Sequence, residues 1–125
     1  VSDFDWLSVN SENVQNYLKD ELCGFVFTLN GFKALADLCL GLYDYDKITS
    51  IPKDLPVFFI YGDEDPVGDY GAGVMKAYGL YESTGMKKLS RKLYPGRRHE
   101  LLNEMNKEEV MQDIYAWLKE MVLER

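Results

Sequence analysis

Two places in the sequence carry residue types that could perform acid–base chemistry. An apolar stretch ends in three acids, Asp63, Glu64 and Asp65, and a later loop carries the only histidine of the chain, His99. A carboxylate that orients an imidazole supplies two members of a nucleophilic triad, in which the imidazole acts as the general base. The pattern therefore predicts the acid and the base of a hydrolase that uses a nucleophilic side chain.

The third member of such a triad is missing from the sequence. A nucleophilic serine on an α/β sheet sits in a Gly-x-Ser-x-Gly turn, and none of the serines of this chain has that context. We therefore expect the nucleophile, and the backbone N–H groups that stabilise an oxyanion, to lie on polypeptide outside these 125 residues. On this interpretation the chain is the C-terminal part of a serine hydrolase.

The net charge and the cysteine content argue against several classes of function. The net charge of −7 argues against a nucleic-acid-binding surface, which would need a basic face. Cys23 and Cys39 form no CxxC pair and have no histidine nearby, which favours free, buried thiols in a reducing, cytoplasmic compartment over a disulfide or a zinc site. A Mg²⁺ site at the three acids would leave His99 without a role. We therefore expect no metal and no cofactor.

The apolar patterns predict mainly helix in residues 1–50 and alternating strands and helices in residues 51–125. The predicted elements are helices over Ser11–Glu21 and Leu29–Tyr43, a strand over Pro56–Tyr61, a helix over Asp69–Glu82, a strand over Lys88–Tyr94 and a long helix from Asn106. Asp69 is expected to cap its helix, and Asn106 with Glu109 resembles a capping box. The second helix has an apolar face wide enough to be buried on more than one side.

A strand–helix–strand order with short connections predicts a parallel crossover, so that both strands end at the same edge of the sheet. Ligands bind at that edge in open α/β sheets, and the acids would meet His99 there. Asp65 is the preferred acid because Pro66 forces a turn after it, and Asp63 is the alternative. Since two parallel strands cannot cover themselves, further strands are expected elsewhere.

Each of these residues also has a structural interpretation. A single histidine on a loop is more often solvated than catalytic, and acids that follow a strand could form an Asx turn or a helix cap. We interpret Arg97 and Arg98 as solvated, and we expect Trp6 and Trp117 to anchor the core.

The segments Tyr61-Gly-Asp-Glu-Asp-Pro-Val-Gly-Asp and Gly96-Arg-Arg-His-Glu resemble those of α/β-hydrolase-fold lipases of the monoacylglycerol lipase, lysophospholipase and serine aminopeptidase group. The resemblance implies an α/β fold that is the C-terminal part of an α/β-hydrolase, with an incomplete sheet in this chain. It implies that residues 1–50 are the end of a cap segment with connecting helices, and that residues 51–125 belong to the core. Asp65 then matches the catalytic acid and His99 the catalytic base.

The resemblance also implies a function, the hydrolysis of carboxylic esters such as lysophospholipid or monoacylglycerol-like lipids. Phe25, Phe27 and Val67 would bind the substrate, and the N-terminal part of the same protein would be the partner that carries the nucleophilic serine. The alternative is a non-catalytic fragment or remnant that binds a partner chain, since an unpaired strand edge is a pairing surface. A dehalogenase or peptidase on the same scaffold is a further alternative. The sequence leaves the oligomeric state open, a homo-oligomer included.

Overall fold

The computed structural model describes residues 2–42 and 44–123 and contains the predicted strands and helices in the predicted order. The regular elements of this part of the chain are α1 (Ser11–Lys19), α2 (Leu29–Gly41), α3 (Tyr45–Thr49), β1 (Val57–Gly62), α4 (Ala72–Ser83), β2 (Leu89–Tyr94) and α5 (Lys107–Leu118). Short 3₁₀ turns lie at Asp5–Leu7 and Leu101–Asn103, and Lys119–Leu123 continue α5 as a π-helical turn. No helix among the described residues is both long and apolar enough to cross a bilayer.

The first helices begin where the sequence supplies a capping side chain. Asn10 before α1 and Thr28 before α2 each accept a hydrogen bond from a backbone N–H of the first helical turn. Both predicted helices are confirmed, although α1 ends at Lys19, and the predicted end of α2 at Tyr43 lies outside the described residues. The short helix α3 was not predicted, because its five residues are too few to show an apolar period; Asp44 caps it.

The two strands pair in parallel, as predicted. Val57 lies opposite Leu89 and Gly62 opposite Tyr94, so the two strands end level with each other. Helix α4 provides the crossover between them. No further strand pairs with either of them among residues 2–42 and 44–123, and the fold in this chain is therefore a partial α/β sheet with two open edges.

One predicted helix cap is wrong, and a second has the predicted residue without the predicted hydrogen bonds. Asp69 and Tyr70 have φ values of 52° and 53°, in the left-handed region, and belong to the turn before α4, so Asp69 lies two residues before the N-cap position. Gly71, with φ of 88°, is the N-cap of α4 instead, since glycine adopts that region without a steric penalty. Asn106 is the N-cap residue of α5, but its side-chain amide donates to Glu109 Oε2 and caps no backbone N–H, so no capping box forms.

The small apolar core lies between the sheet and α5. Tyr94, Leu101 and Val110 are buried there, and Ile60 and Ile114 pack against them. Helix α5 therefore presents Val110 and Ile114, one turn apart, to the sheet. This packing supports the carboxyl end of β2, from which the next loop departs.

Helix α2 is exposed, contrary to the expectation that its apolar face is buried on more than one side. None of its residues is buried, and Leu29 and Leu40 are 89% and 76% exposed. The described elements make no extensive contact with this helix. Its composition is that of a buried helix, but the described part of the chain supplies nothing that covers it.

A polar link joins β2 to α5. The Tyr94 hydroxyl donates a hydrogen bond to Asp113 Oδ2 at 2.7 Å, and the Lys92 ammonium pairs with the same oxygen. The ammonium, and after it the phenol, lower the pKa of Asp113 below its ordinary value of 3.8. Burial, followed by the neighbouring carboxylate, raises the pKa of Tyr94, so that its hydroxyl remains a donor.

Asp113→Asn should lower the free energy of unfolding at neutral pH by about 1 kcal/mol, because an amide replaces a charge-assisted acceptor. The folded-state pKa of Asp113 is lowered, so its contribution is complete above its ordinary value of 3.8 and is lost as the pH falls through the folded-state value. Urea unfolding of both proteins, from neutral pH down to the lowest pH at which they stay folded, measures the difference. A difference in the free energy of unfolding that does not decrease at low pH would contradict this interpretation.

Candidate active site

Asp65 lies just beyond the end of β1, in a turn that fixes its carboxylate. Its Oδ1 accepts a hydrogen bond from the Val67 N–H at 2.9 Å, which forms an Asx turn, and its backbone carbonyl accepts from the Tyr70 N–H at 2.9 Å. The residue is only 8% exposed. The turn thus holds one carboxylate oxygen and leaves Oδ2 for a donor from another segment.

That donor is His99, which lies on the loop after β2. Residues 95–100 are called the histidine loop below. Nδ1 of His99 is 3.1 Å from Asp65 Oδ2, and the histidine side chain remains 42% exposed. Because an ionised carboxylate only accepts hydrogen bonds, we assign the proton of the neutral ring to Nδ1, which leaves the lone pair on Nε2. The structure thus brings the predicted acid and base together in an arrangement in which Nε2 can accept a proton.

The turn after β1 and the histidine loop approach closely because Gly62 has no side chain. A Cβ added to Gly62 would lie 2.0 Å from the Arg97 carbonyl oxygen. Two hydrogen bonds join the segments there, since the Gly96 N–H donates to Asp63 Oδ1 at 2.6 Å and the Glu64 N–H donates to the Arg97 carbonyl at 2.9 Å. Asp63, the alternative acid, therefore binds the backbone of the loop rather than the imidazole.

The expectation that both tryptophans anchor the core is wrong, because each is only partly buried. Trp117 stacks on Phe58 of β1, with ring centroids 5.5 Å apart. Trp6 lies in the first 3₁₀ turn, which carries its ring to within 5.3 Å of the His99 ring. One face of the candidate site is therefore aromatic, and it comes from the beginning of the chain.

Arg98 also departs from its expected solvated position. Its Nη1 donates to the Asp5 carbonyl at 2.5 Å, and its Nε lies 3.6 Å from Glu64 Oε2. For the adjacent Arg97, Nε is buried, so this residue is not simply solvated either. Beside these contacts lies a cleft of about 500 Å³, lined by Asp5, Trp6, Glu64, Pro66, Tyr70 and Arg98, whereas His99 itself lines a second cleft of about 300 Å³ with Ile60 and residues 100–103.

The predicted substrate-binding residues lie in two places. Val67 follows Asp65 in the same turn, is 64% exposed and lines a cleft of about 590 Å³ beside β1 and α4. Phe25 and Phe27 pack edge to face at 5.4 Å in the connector before α2, and Phe27 meets Phe32 at 5.6 Å. Val67 thus adjoins the acid, whereas the phenylalanines form a separate apolar cluster with α2.

No group of three or more histidine, cysteine, aspartate or glutamate side chains in the described ranges could hold a metal ion. Cys23 and Cys39 are both free thiols. Cys23 is partly buried and Cys39 is exposed, so the expectation that both are buried is wrong. The reason is that Cys39 lies on the uncovered helix α2.

Two residues that shape the site were not predicted. Gly62 has a signal in the sequence, because a glycine at the end of a strand pattern indicates a close approach of another backbone. Glu104 has none, since it stands between Asn103 and Met105 in a segment without a recognisable pattern. In the structure Glu104 is 1% exposed and accepts a hydrogen bond from the backbone N–H of Arg98.

The chain is similar to one known protein family and to solved structures. The family model described as serine aminopeptidase, S33, matches residues 1–106. Among solved structures, the chain is similar to a highly thermostable carboxyl esterase from Bacillus coagulans in complex with glycerol, with 27% identity, a TM-score of 0.79 and coverage of 94% of this chain and 38% of that chain. It is also similar to a lipase in an open form, with 25% identity, a TM-score of 0.84 and coverage of 97% and 41%. The chain therefore spans less than half the length of either structure, and no curated protein matches it significantly.

Gly62→Ala should lower the free energy of unfolding by about 1–3 kcal/mol, because the added Cβ meets backbone atoms of Arg97. Gly79→Ala is the matched control, since nothing lies within 4 Å of a Cβ at this position of α4. That control should gain about 0.5–1 kcal/mol. Chemical denaturation measures both changes, and a Gly62→Ala protein as stable as its parent would contradict the close approach of the two segments.

Proposed function

Because the chain belongs to the serine aminopeptidase S33 family of α/β-hydrolases, we propose that it supplies the acid and the base of a serine hydrolase that cleaves carboxylic esters. The observation that carries this proposal is the contact between Asp65 Oδ2 and His99 Nδ1 at the carboxyl ends of two parallel strands. The similarity to a carboxyl esterase and to a lipase supports esters over amides as substrates.

The proposed reaction follows from the orientation of the imidazole. Nε2 of His99 removes the proton from a serine hydroxyl while the serine oxygen attacks the ester carbonyl, and the carbonyl electrons move onto oxygen. The imidazolium then returns the proton to the leaving alcohol as the carbon–oxygen ester bond breaks. Water repeats the sequence on the acyl-enzyme and releases the acid. Asp65 stays ionised throughout and stabilises the imidazolium through Nδ1.

We propose that the nucleophilic serine and the oxyanion hole come from polypeptide outside these 125 residues. Three serines of the chain have local contacts that support this view. The Ser8 hydroxyl is buried and accepts the Asn10 N–H, and the hydroxyls of Ser50 and Ser83 donate to carbonyls in their own helical turns. The coverage of only 38% and 41% of the similar structures is consistent with a missing nucleophile-bearing segment.

The substrate class we propose is an ester with a long apolar acyl chain, such as a lysophospholipid or a monoacylglycerol-like lipid. The exposed apolar face of α2 and the cluster of Phe25, Phe27 and Phe32 support this choice, because they offer unpaired apolar area in one region. Val67 would contact the substrate beside the acid. We also propose a cytoplasmic location, which the two free thiols support.

A second function is favoured by the same exposed face. The open strand edges and helix α2 could bind a partner chain, either the remainder of the same protein or a second copy that forms a homo-oligomer. In that case Asp65 and His99 would have only a structural role. Covalent labelling of a serine distinguishes this function from catalysis.

The complete gene product should react with a fluorophosphonate probe at one serine, and His99→Ala should abolish both labelling and ester turnover. We expect turnover to fall by roughly a thousandfold or more, since the general base is lost while the fold is retained. Mass spectrometry of the labelled protein and hydrolysis of p-nitrophenyl esters measure these effects. Near-normal turnover in His99→Ala would remove the proposed base and favour the partner-binding function.

The two acids should respond differently to amide substitution. Asp65→Asn should reduce kcat by on the order of a thousandfold, because an amide no longer favours the Nδ1–H tautomer or stabilises the imidazolium. Asp63→Asn should be mild, since an asparagine Oδ1 can still accept from the Gly96 N–H. Steady-state kinetics of the two variants make a matched comparison, and the opposite ranking would assign the catalytic acid to Asp63.

A further inference from the structure

The carboxylate of Glu104 is buried outside the contact between Asp65 and His99. Glu104 is 1% exposed and follows the short 3₁₀ turn Leu101–Asn103. Burying a carboxylate is costly unless hydrogen bonds replace the lost water. The hydrogen bonds of Glu104 must therefore compensate for the burial of its carboxylate beside the histidine loop.

Glu104 joins the beginning of the chain to the histidine loop. Its Oε1 accepts hydrogen bonds from the Val9 N–H at 3.1 Å and the Arg98 N–H at 3.0 Å, and its Oε2 lies 3.2 Å from the same Val9 nitrogen. Arg98 directly precedes His99. One carboxylate thus binds two backbone segments that are separated by most of the sequence.

The residue after His99 is bound to the same N-terminal segment. The Glu100 N–H donates to the Leu7 carbonyl at 2.8 Å, and the Asn13 side chain donates to Glu100 Oε2 at 2.5 Å. The Trp6 ring, which belongs to the same N-terminal segment, packs against the imidazole. The backbone on both sides of His99 is therefore held by residues near the start of the chain.

We propose that Glu104 is a positioning residue for His99. The histidine loop has no regular secondary structure that would set the place of the imidazole. Glu104 fixes the N–H of the preceding residue and thereby keeps Nδ1 at hydrogen-bonding distance from Asp65. Its carboxylate bonds to backbone N–H groups rather than to the imidazole. This inference rests on the proposed function of His99 as a general base.

Three substitutions at Glu104 separate the effect of its side-chain length from the effect of its charge. Glu104→Ala removes the acceptor, and Glu104→Asp keeps the charge but withdraws it by one methylene, so both should lower kcat in the complete gene product by roughly 10- to 100-fold with little change in KM. Glu104→Gln keeps an oxygen that can accept from both N–H groups, and it should retain kcat within about threefold. Glu108→Gln is the control, because Glu108 is exposed in the first turn of α5.

Steady-state kinetics with p-nitrophenyl esters test the proposal. A Glu104→Ala enzyme with the parent kcat, or a Glu104→Asp enzyme that is more active than Glu104→Gln, would overturn it. If Glu104→Ala does not fold, the order of the aspartate and glutamine variants decides. A residue that serves overall stability alone is not expected to lower kcat at constant KM in a way that the glutamine variant restores.

Amide hydrogen exchange of the same variants gives a readout that does not depend on activity. Glu104→Asp should increase exchange in peptides covering residues 5–10 and 96–101 and leave those of α4 unchanged. Unchanged exchange in the first two segments would overturn the positioning role. If the parent protein hydrolyses no ester but the exchange result holds, the proposed function fails while the contact made by Glu104 stands.

Discussion

The parallel pairing of β1 and β2 is the constraint on which the candidate site depends. Gly62 lies opposite Tyr94, so the two strands deliver their following turns to the same edge of the sheet. The absence of a side chain at Gly62 then lets the two turns touch, with the Arg97 carbonyl against the end of β1. A different register would separate the acid-bearing turn from the histidine loop.

The site is held mainly by polar contacts, whereas the apolar core is small. Asp65, Glu104 and Ser8 are the buried polar residues of the described chain, and all three lie in or beside the segments that frame His99. Each is satisfied by backbone N–H groups. Polar contacts of this kind have narrow distance and angle requirements. They therefore restrain the position of the imidazole more closely than apolar packing of the same area would.

The surfaces that the described chain leaves uncovered agree with the family assignment. The sheet has two open edges, and the apolar helix α2 has no buried residue. The similar esterase and lipase structures are more than twice as long as the part that this chain matches. Our proposal that the serine lies on other polypeptide gives these surfaces a role, because strands added at an edge of the sheet would bring the nucleophile towards the exposed side of His99.

The sequence by itself determined the order of strands and helices and the positions of Asp65 and His99 after the two strands. These features are encoded locally, in apolar periodicity, in the Asp-Pro turn and in the placement of acids and a histidine just after strand patterns. The roles of these two residues stay predictions. The cap of α4 could not be predicted, since it depends on the left-handed backbone of the turn before the helix, whereas at α5 the N-cap residue was predicted but not its hydrogen bonds.

Only the tertiary structure decided which other residues frame the imidazole. Trp6, Arg98 and Glu104 gave no local signal, because their roles depend on contacts between the two ends of the chain. Val9 and Glu104, for example, are 95 residues apart in sequence. No short pattern encodes such a contact, since the partner of a buried carboxylate is set by how the segments pack and not by its sequence neighbours.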